Sequence, residues 1–168
     1  EISKKLEVPV IAKEVGWGIS ERTAKLLADC GVDAIDVAGA GGTSWSQVEM
    51  HRAPDQFTRE LAATFVDWGI NTADSILNIK QVAPGMTIFA SGGLKNGLEI
   101  AKSIALGATL GGITSPFLRA AMISTERVVE VIELTKRQIE VTFFSAGISE
   151  LNDDIYMNLR TTSTHSNQ

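Results

Sequence analysis

Cysteine and histidine are almost missing from this sequence: Cys30, His51 and His165 are the full complement. A single cysteine excludes an intrachain disulfide and a metal site built from cysteines. Cys30 sits in the helical stretch "TAKLLADCG" and is expected as a buried structural thiol. His165 falls in a polar tail, and His51, in "VEMHRAP", has no partner at the spacing of a catalytic dyad. A surface place is expected for His51. Ser-His-Asp order, HExxH, CxxC and the P-loop pattern are all lacking. No metal ligands are expected within these residues. No run of about 18 apolar residues is present, so no membrane-spanning helix is expected. The first ten residues, "EISKKLEVPV", carry charges on both sides of a short apolar patch and do not read as a signal peptide. Nor is there an excess of positive charge. The formal net charge is -5, which argues against a nucleic-acid footprint. These absences predict a cytoplasmic protein with neither nucleic-acid nor membrane partners.

What is present is ordinary globular material, 44% hydrophobic and 21% charged in 168 residues. That composition and length fit one domain. We expect a single partial domain over 1–159 and a polar tail, "RTTSTHSNQ", over 160–168.

Short apolar runs alternate with helical patterns. "VPVIAK" (8–13), "DAIDVA" (33–38), "MTIFAS" (86–91) and "TLGGIT" (109–114) have the length and apolar density of buried parallel strands. Between the first two, Ser20 is a candidate helix cap, Thr23, Leu27 and Cys30 form one stripe, and Gly31 is the stop. Leu98, Ala101, Ile104 and Ala105 make the apolar face of a later helix, and 124–145 reads as a long terminal helix. Repeated strand–helix units predict a parallel sheet with helical crossovers. The segment 39–71 is longer than an ordinary strand-to-helix loop, and such loops commonly carry function.

The Gly-rich and polar clusters all follow a predicted strand. Lys13, Glu14 and Gly16 follow the first, and Ala38 to Thr43 the second. Ser91, Gly92 and Gly93 follow the third, and Thr114, Ser115 and Pro116 the fourth. In a parallel sheet these ends share one face, where such folds bind ligands. "ASGGLKNG" (90–97) offers bare backbone N–H groups just before a helix, which suits a phosphate or simply a tight turn. "GITSPFLRAA" (112–121) offers a second such place, with Ser115 as N-cap and Pro116 as first helical residue. Lys13 either serves an anionic group or forms a salt bridge at the rim. The glycines in "GAGG" (39–42) suggest that something lies close against the backbone.

With these residues assembled, the chain resembles the type 2, flavin-dependent isopentenyl-diphosphate isomerases. The matching stretches are "VPVIAKEVGWGIS", "IDVAGAGGTSW", "DWGINTADSI", "ASGGLKNGLEIAKSIALGA" and "PFLRAA". The resemblance implies the C-terminal half of a (β/α)8 TIM barrel, an α/β fold with four βα units and parallel strands. It implies FMN, with NADPH as its reductant, Mg²⁺, and a small diphosphate substrate of isoprenoid biosynthesis. By position, Lys13 and Thr43 would contact the flavin ring, and Ala38 would meet it through backbone. Gly93, Leu94, Lys95, Thr114 and Ser115 would hold the FMN phosphate. The glycines of 39–42 would then let backbone pass beside the ring. The resemblance assigns no catalytic residue to this half.

The family's early Arg and Lys residues, its substrate-facing Gln and its Mg²⁺-binding Glu have no counterpart here. "SQVE" (46–49) contains both residue types but follows the glycine loop. We therefore expect a fragment, inactive alone, that forms homo-oligomers or pairs with a missing half-barrel. Two alternatives stand beside this expectation. An FMN barrel of the hydroxy-acid oxidase type would place a catalytic His at "GAGGTSW", where this sequence has none. A non-catalytic flavin- or phosphate-binding module would need only the glycine turns.

Overall fold

The computed structural model describes residues 2, 3 and 5–149. The expected tail over 160–168 and its boundary at 159 lie outside the described residues. Four strands, β1 (Ile11–Lys13), β2 (Ala34–Asp36), β3 (Thr87–Ala90) and β4 (Leu110–Gly111), form one parallel sheet in sequence order. Seven helices are described: α1 (Glu21–Cys30), α2 (Trp45–Arg52), α3 (Gln56–Ala63), α4 (Thr72–Val82), α5 (Gly97–Ala105), α6 (Ser115–Ala121) and α7 (Thr125–Ser145). Sequential parallel strands joined by helices are the expected half-barrel.

Local chemistry explains where the helices begin. Ser20, Ser44, Asp55, Asn71, Asn96 and Ser124 each accept a backbone N–H three residues on, satisfying a donor that the helix itself cannot. Gly31, at φ 78°, closes α1 in the left-handed conformation that glycine adopts without penalty.

Strand alternation sorts the sheet into two faces. Ala12, Ile35 and Ile88 stand in register, and the last two are fully buried with Val37, Ile76 and Ile79. This is the helix-covered face, packed by α1 and α4. The alternate residues, Ile11 and Lys13, Ala34 and Asp36, Thr87 and Phe89, and Leu110, point the other way. Ile11 is 50% and Leu110 45% exposed there, because no described element covers that face.

Several details differ from expectation. The strands are shorter than their apolar runs. Cys30 is exposed, not buried, since α1 turns Ala24, Leu27 and Ala28 inward, at the i, i+3, i+4 spacing of one helix face. In α5 the buried set is Gly97, Ile100, Ala101, Ser103 and Ala105; Leu98 faces outward, into a groove shared with Leu134 and Val141 of α7. Ser115 is the first residue of α6 and not its cap. That place falls to Thr114, whose side chain makes no capping bond. The segment 39–71 holds α2 and α3, which pack on one another, with His51 exposed in the last turn of α2. Among the described residues no helix is long and apolar enough to cross a membrane.

Candidate functional site

Parallel strands put the turns after β1, β2, β3 and β4 at one end of the sheet, and all eight predicted site residues lie there. Lys13 ends β1 on the open face. Its Nζ lies 2.7 Å from Asp36 Oδ2 and 3.3 Å from Ser91 Oγ. The salt bridge weighed for Lys13 thus exists, with Asp36 across the sheet instead of the adjacent Glu14. Glu14 turns back to accept the backbone N–H groups of Val15 and Trp17. Asp36 Oδ1 accepts from Ser91 Oγ at 2.5 Å and from the Ala38 N–H at 3.2 Å. Ala38 is buried at φ 32°, an unusual value for a residue with a Cβ. Its carbonyl accepts from Gly18 N–H.

Gly39 and Gly42 are required by the fold itself. A Cβ on Gly42 would stand 2.8 Å from Gly93 N, and one on Gly93 would stand 2.6 Å from the Gly41 carbonyl. A Cβ on Gly39 would run into Thr72, and one on Gly92 into Gly39 itself. Backbone therefore packs on backbone between the turns after β2 and β3. The Gly39 N–H donates to Ser91 O at 3.0 Å, and the Thr72 hydroxyl reaches Gly92 O at 2.7 Å and Ser91 O at 3.0 Å.

That interlock holds the turn after β3 in place. Gly92 and Gly93 take φ of 101° and 80°. Among the described residues, the N–H groups of Gly93 and Leu94 find no acceptor, while the Leu94 side chain packs on the core. The Lys95 N–H is taken by Glu99 Oε2 at 2.5 Å, which leaves its exposed ammonium as the group it offers. Gly112 brings the turn after β4 alongside, its Cβ direction 3.6 Å from Ser91 Cβ. Thr114 and Ser115 follow with exposed side chains. Thr43 is exposed as well, its carbonyl against Gly16 of the turn after β1.

The groups offered at this end are donors: two backbone N–H groups, the hydroxyls of Thr43, Thr114 and Ser115, and the ammonium groups of Lys13 and Lys95. The nearby carboxylates Asp36 and Glu14 are already engaged. This set fits an anionic ligand such as a phosphate. Among the described residues no three His, Cys, Asp or Glu side chains gather as a metal cluster. Sequence reasoning passed over Asp36 and Thr72. The signal for Asp36 was present: one acid in the apolar run "AIDV", on the alternation that faces Lys13.

Comparison with known proteins extends the geometry. Residues 1–158 match the family described as FMN-dependent dehydrogenase. The chain is 44% identical over 153 residues to isopentenyl-diphosphate delta-isomerase of Rickettsia bellii (strain RML369-C), covering 91% of this chain and 45% of that protein. It is 49% identical over 146 residues to the protein of that name from Synechocystis sp., covering 87% and 42% respectively. The chain thus spans less than half the length of the curated relatives it matches. Crystallised mandelate oxidase superposes over 92% of this chain and 39% of its own, with a TM-score of 0.66 and 17% identity, which shows a shared fold. With the turns after its four parallel strands at one end of the sheet, and its sequence matched from residue 1 to 158, the chain belongs to the FMN-dependent dehydrogenase family.

Proposed function

We propose that this chain is the FMN-binding half of an isomerase that interconverts isopentenyl diphosphate and dimethylallyl diphosphate in the cytoplasm. The reading includes reduced FMN, NADPH as its reductant, and Mg²⁺. The observation that carries it is 42–49% identity, over about nine-tenths of the chain, to proteins named isopentenyl-diphosphate delta-isomerase. The hydroxy-acid oxidase alternative requires a histidine in the glycine loop, and Gly39 to Trp45 contain none.

FMN, when bound and reduced, supplies an electron-rich ring for a reaction with no net redox change. Lys13 would place its ammonium against that ring and stabilise the anionic reduced form, because a fixed positive charge acts strongly where water is excluded. Thr43 would donate its hydroxyl to the ring, and Ala38 would offer backbone. Gly93 and Leu94 would donate their N–H groups to the phosphate, joined by the Lys95 ammonium and the Thr114 and Ser115 hydroxyls. Mg²⁺ prefers an octahedron of oxygens, so its ligands would come from the substrate diphosphate and from the other half-barrel. That half, or a second copy of the chain, is the proposed partner.

The test is a chimera in which these residues replace the matching 146 residues of the Synechocystis relative. We expect it to bind FMN and, reduced and anaerobic, to convert isopentenyl diphosphate. A folded, flavin-loaded chimera that leaves that substrate untouched, or oxidises a 2-hydroxy acid, overturns the proposal.

A further inference from the structure

We propose that Asp36 is a positioning residue whose carboxylate fixes the Lys13 ammonium at the strand ends and ties it to the turn after β3. The inference rests on the flavin-half reading and adds to it a residue that carries no role so far.

The argument begins with register. Lys13 pairs with Asp36, and Asp36 pairs with Phe89, two residues before Ser91. Alternation sends Lys13, Asp36 and Ser91 to the same open face. The carboxylate then divides its oxygens between the neighbouring strands. Oδ2 takes the ammonium of β1 at 2.7 Å, and Oδ1 takes the Ser91 hydroxyl beyond β3 at 2.5 Å. The Ala38 N–H also donates to Oδ1, at 3.2 Å.

Exposure separates the two partners. The Asp36 side chain is 16% exposed and the Lys13 side chain 55%. A half-exposed ion pair adds little to stability. A carboxylate flanked by Ala34, Ile35 and Val37 also gives up hydration. Stability alone is therefore a poor reason for an acid at this place. Orientation is a better one. Lysine has four rotatable bonds, and β1 is an edge strand with a neighbour on one side only. Without an anchor the ammonium would sweep through solvent. With Asp36 and Ser91 holding two of its N–H groups, one remains aimed at a ligand.

The tie continues through Ser91. Its carbonyl receives the Gly39 N–H and the Thr72 hydroxyl, and Gly92 and Gly93 follow directly. One carboxylate thus sets the group proposed for the ring in register with the turn proposed for the phosphate.

Asp36→Asn keeps the shape and an acceptor for Ser91 but removes the charge that holds Lys13. Two readouts are taken on the whole chain: side-chain NMR relaxation of Lys13 without ligand, and FMN affinity by fluorescence titration. We expect the wild-type Lys13 side chain to be ordered and that of Asp36→Asn to relax like other exposed lysines, with the circular dichroism unchanged. FMN affinity should fall about tenfold, the scale of one charge-assisted hydrogen bond. The double variant with Lys13→Met should bind no worse than Lys13→Met alone. Ser91→Ala, which leaves the ion pair in place, should keep Lys13 ordered. A mobile Lys13 in the wild type, unchanged Lys13 relaxation in Asp36→Asn, or a further loss in the double variant overturns the proposal. Should Asp36→Asn not fold, the wild-type and Ser91→Ala relaxation still decide it. Failure of the wild-type chain to take up FMN would count against the flavin-half reading, while the relaxation data would still judge Asp36.

Discussion

Lys13 ends β1 and Gly93 lies in the turn after β3, at the same end of the sheet, yet substitution should affect them for different reasons. The Lys13 side chain is exposed and lies outside the hydrophobic core. Lys13→Ala in the chimera should leave the melting temperature nearly unchanged and lower turnover by roughly two to three orders of magnitude, the usual loss for a well-placed charge at a transition state. Steady-state rates beside a thermal melt check this. Gly93 combines φ 80° with the Gly41 carbonyl 2.6 Å from its would-be Cβ. Gly93→Val should therefore destabilise the ligand-free chain by about 2–4 kcal/mol, from left-handed strain together with overpacking. Urea unfolding without FMN measures it. An unchanged midpoint with weakened FMN binding would mean that the phosphate, not Gly41, dictates the glycine. Sequence reasoning had assigned the glycine loop to a ligand. It could not see that residues 39–42 and 92–93, about fifty positions apart, are each other's neighbours, because close backbone approach leaves no side-chain pattern.

At the scale of elements, the two ends of α1 and the long terminal helix were legible and the fine burial was not. Ser20, Gly31 and the span of α7 follow from local chemistry, which a sequence carries openly. Cys30 and Leu98 were misplaced because apolar character was read as inward-facing, whereas packing on α4 and α7 selects the phase of each helix. The segment 39–71 concealed α2 and α3, whose apolar residues face away from the main core; Phe57, for example, is 78% exposed. Their caps remain testable. The Thr58 backbone N–H, then its hydroxyl, stabilise the ionised Asp55 and hold its carboxyl below the usual aspartate value. A lowered folded pKa means that the cap contributes above the unfolded value, about 4, and is lost as pH falls through the folded one. The Thr58 amide NMR shift should therefore titrate below about pH 4 and lose that step in Asp55→Asn. A titration at or above the ordinary aspartate value would contradict the capping account.

For the whole molecule, the decisive feature is a sheet covered on one side. Ile11, Phe89 and Leu110 share the open face, and β1 and β4 are unpaired edges among the described residues. Apolar patches and free edges of this kind favour association. The purified chain should self-associate at micromolar concentration, with light-scattering mass rising with concentration, and should bind an apolar dye. A strictly monomeric, dye-silent chain would contradict this account of the open face. Under reducing conditions with FMN and Mg²⁺ the chain alone should yield no dimethylallyl diphosphate. Product at the rate of a full-length relative would place the missing acid–base groups within these residues. The half-barrel order was legible because each strand–helix unit repeats the same local signals.

The interlocked glycine turns also bear on how this region can vary. In a comprehensive substitution library, positions 39, 42, 92 and 93 should return almost only glycine, as two dips about fifty positions apart. Thr43 and Lys95, whose side chains are exposed, should accept many replacements as far as folding goes. Pairwise libraries should not rescue the dips, since a second substitution cannot make room where the obstacle is main chain. Any redesign of ligand preference here is thereby confined to side chains around an almost invariant backbone knot, so new specificity would arise at its rim.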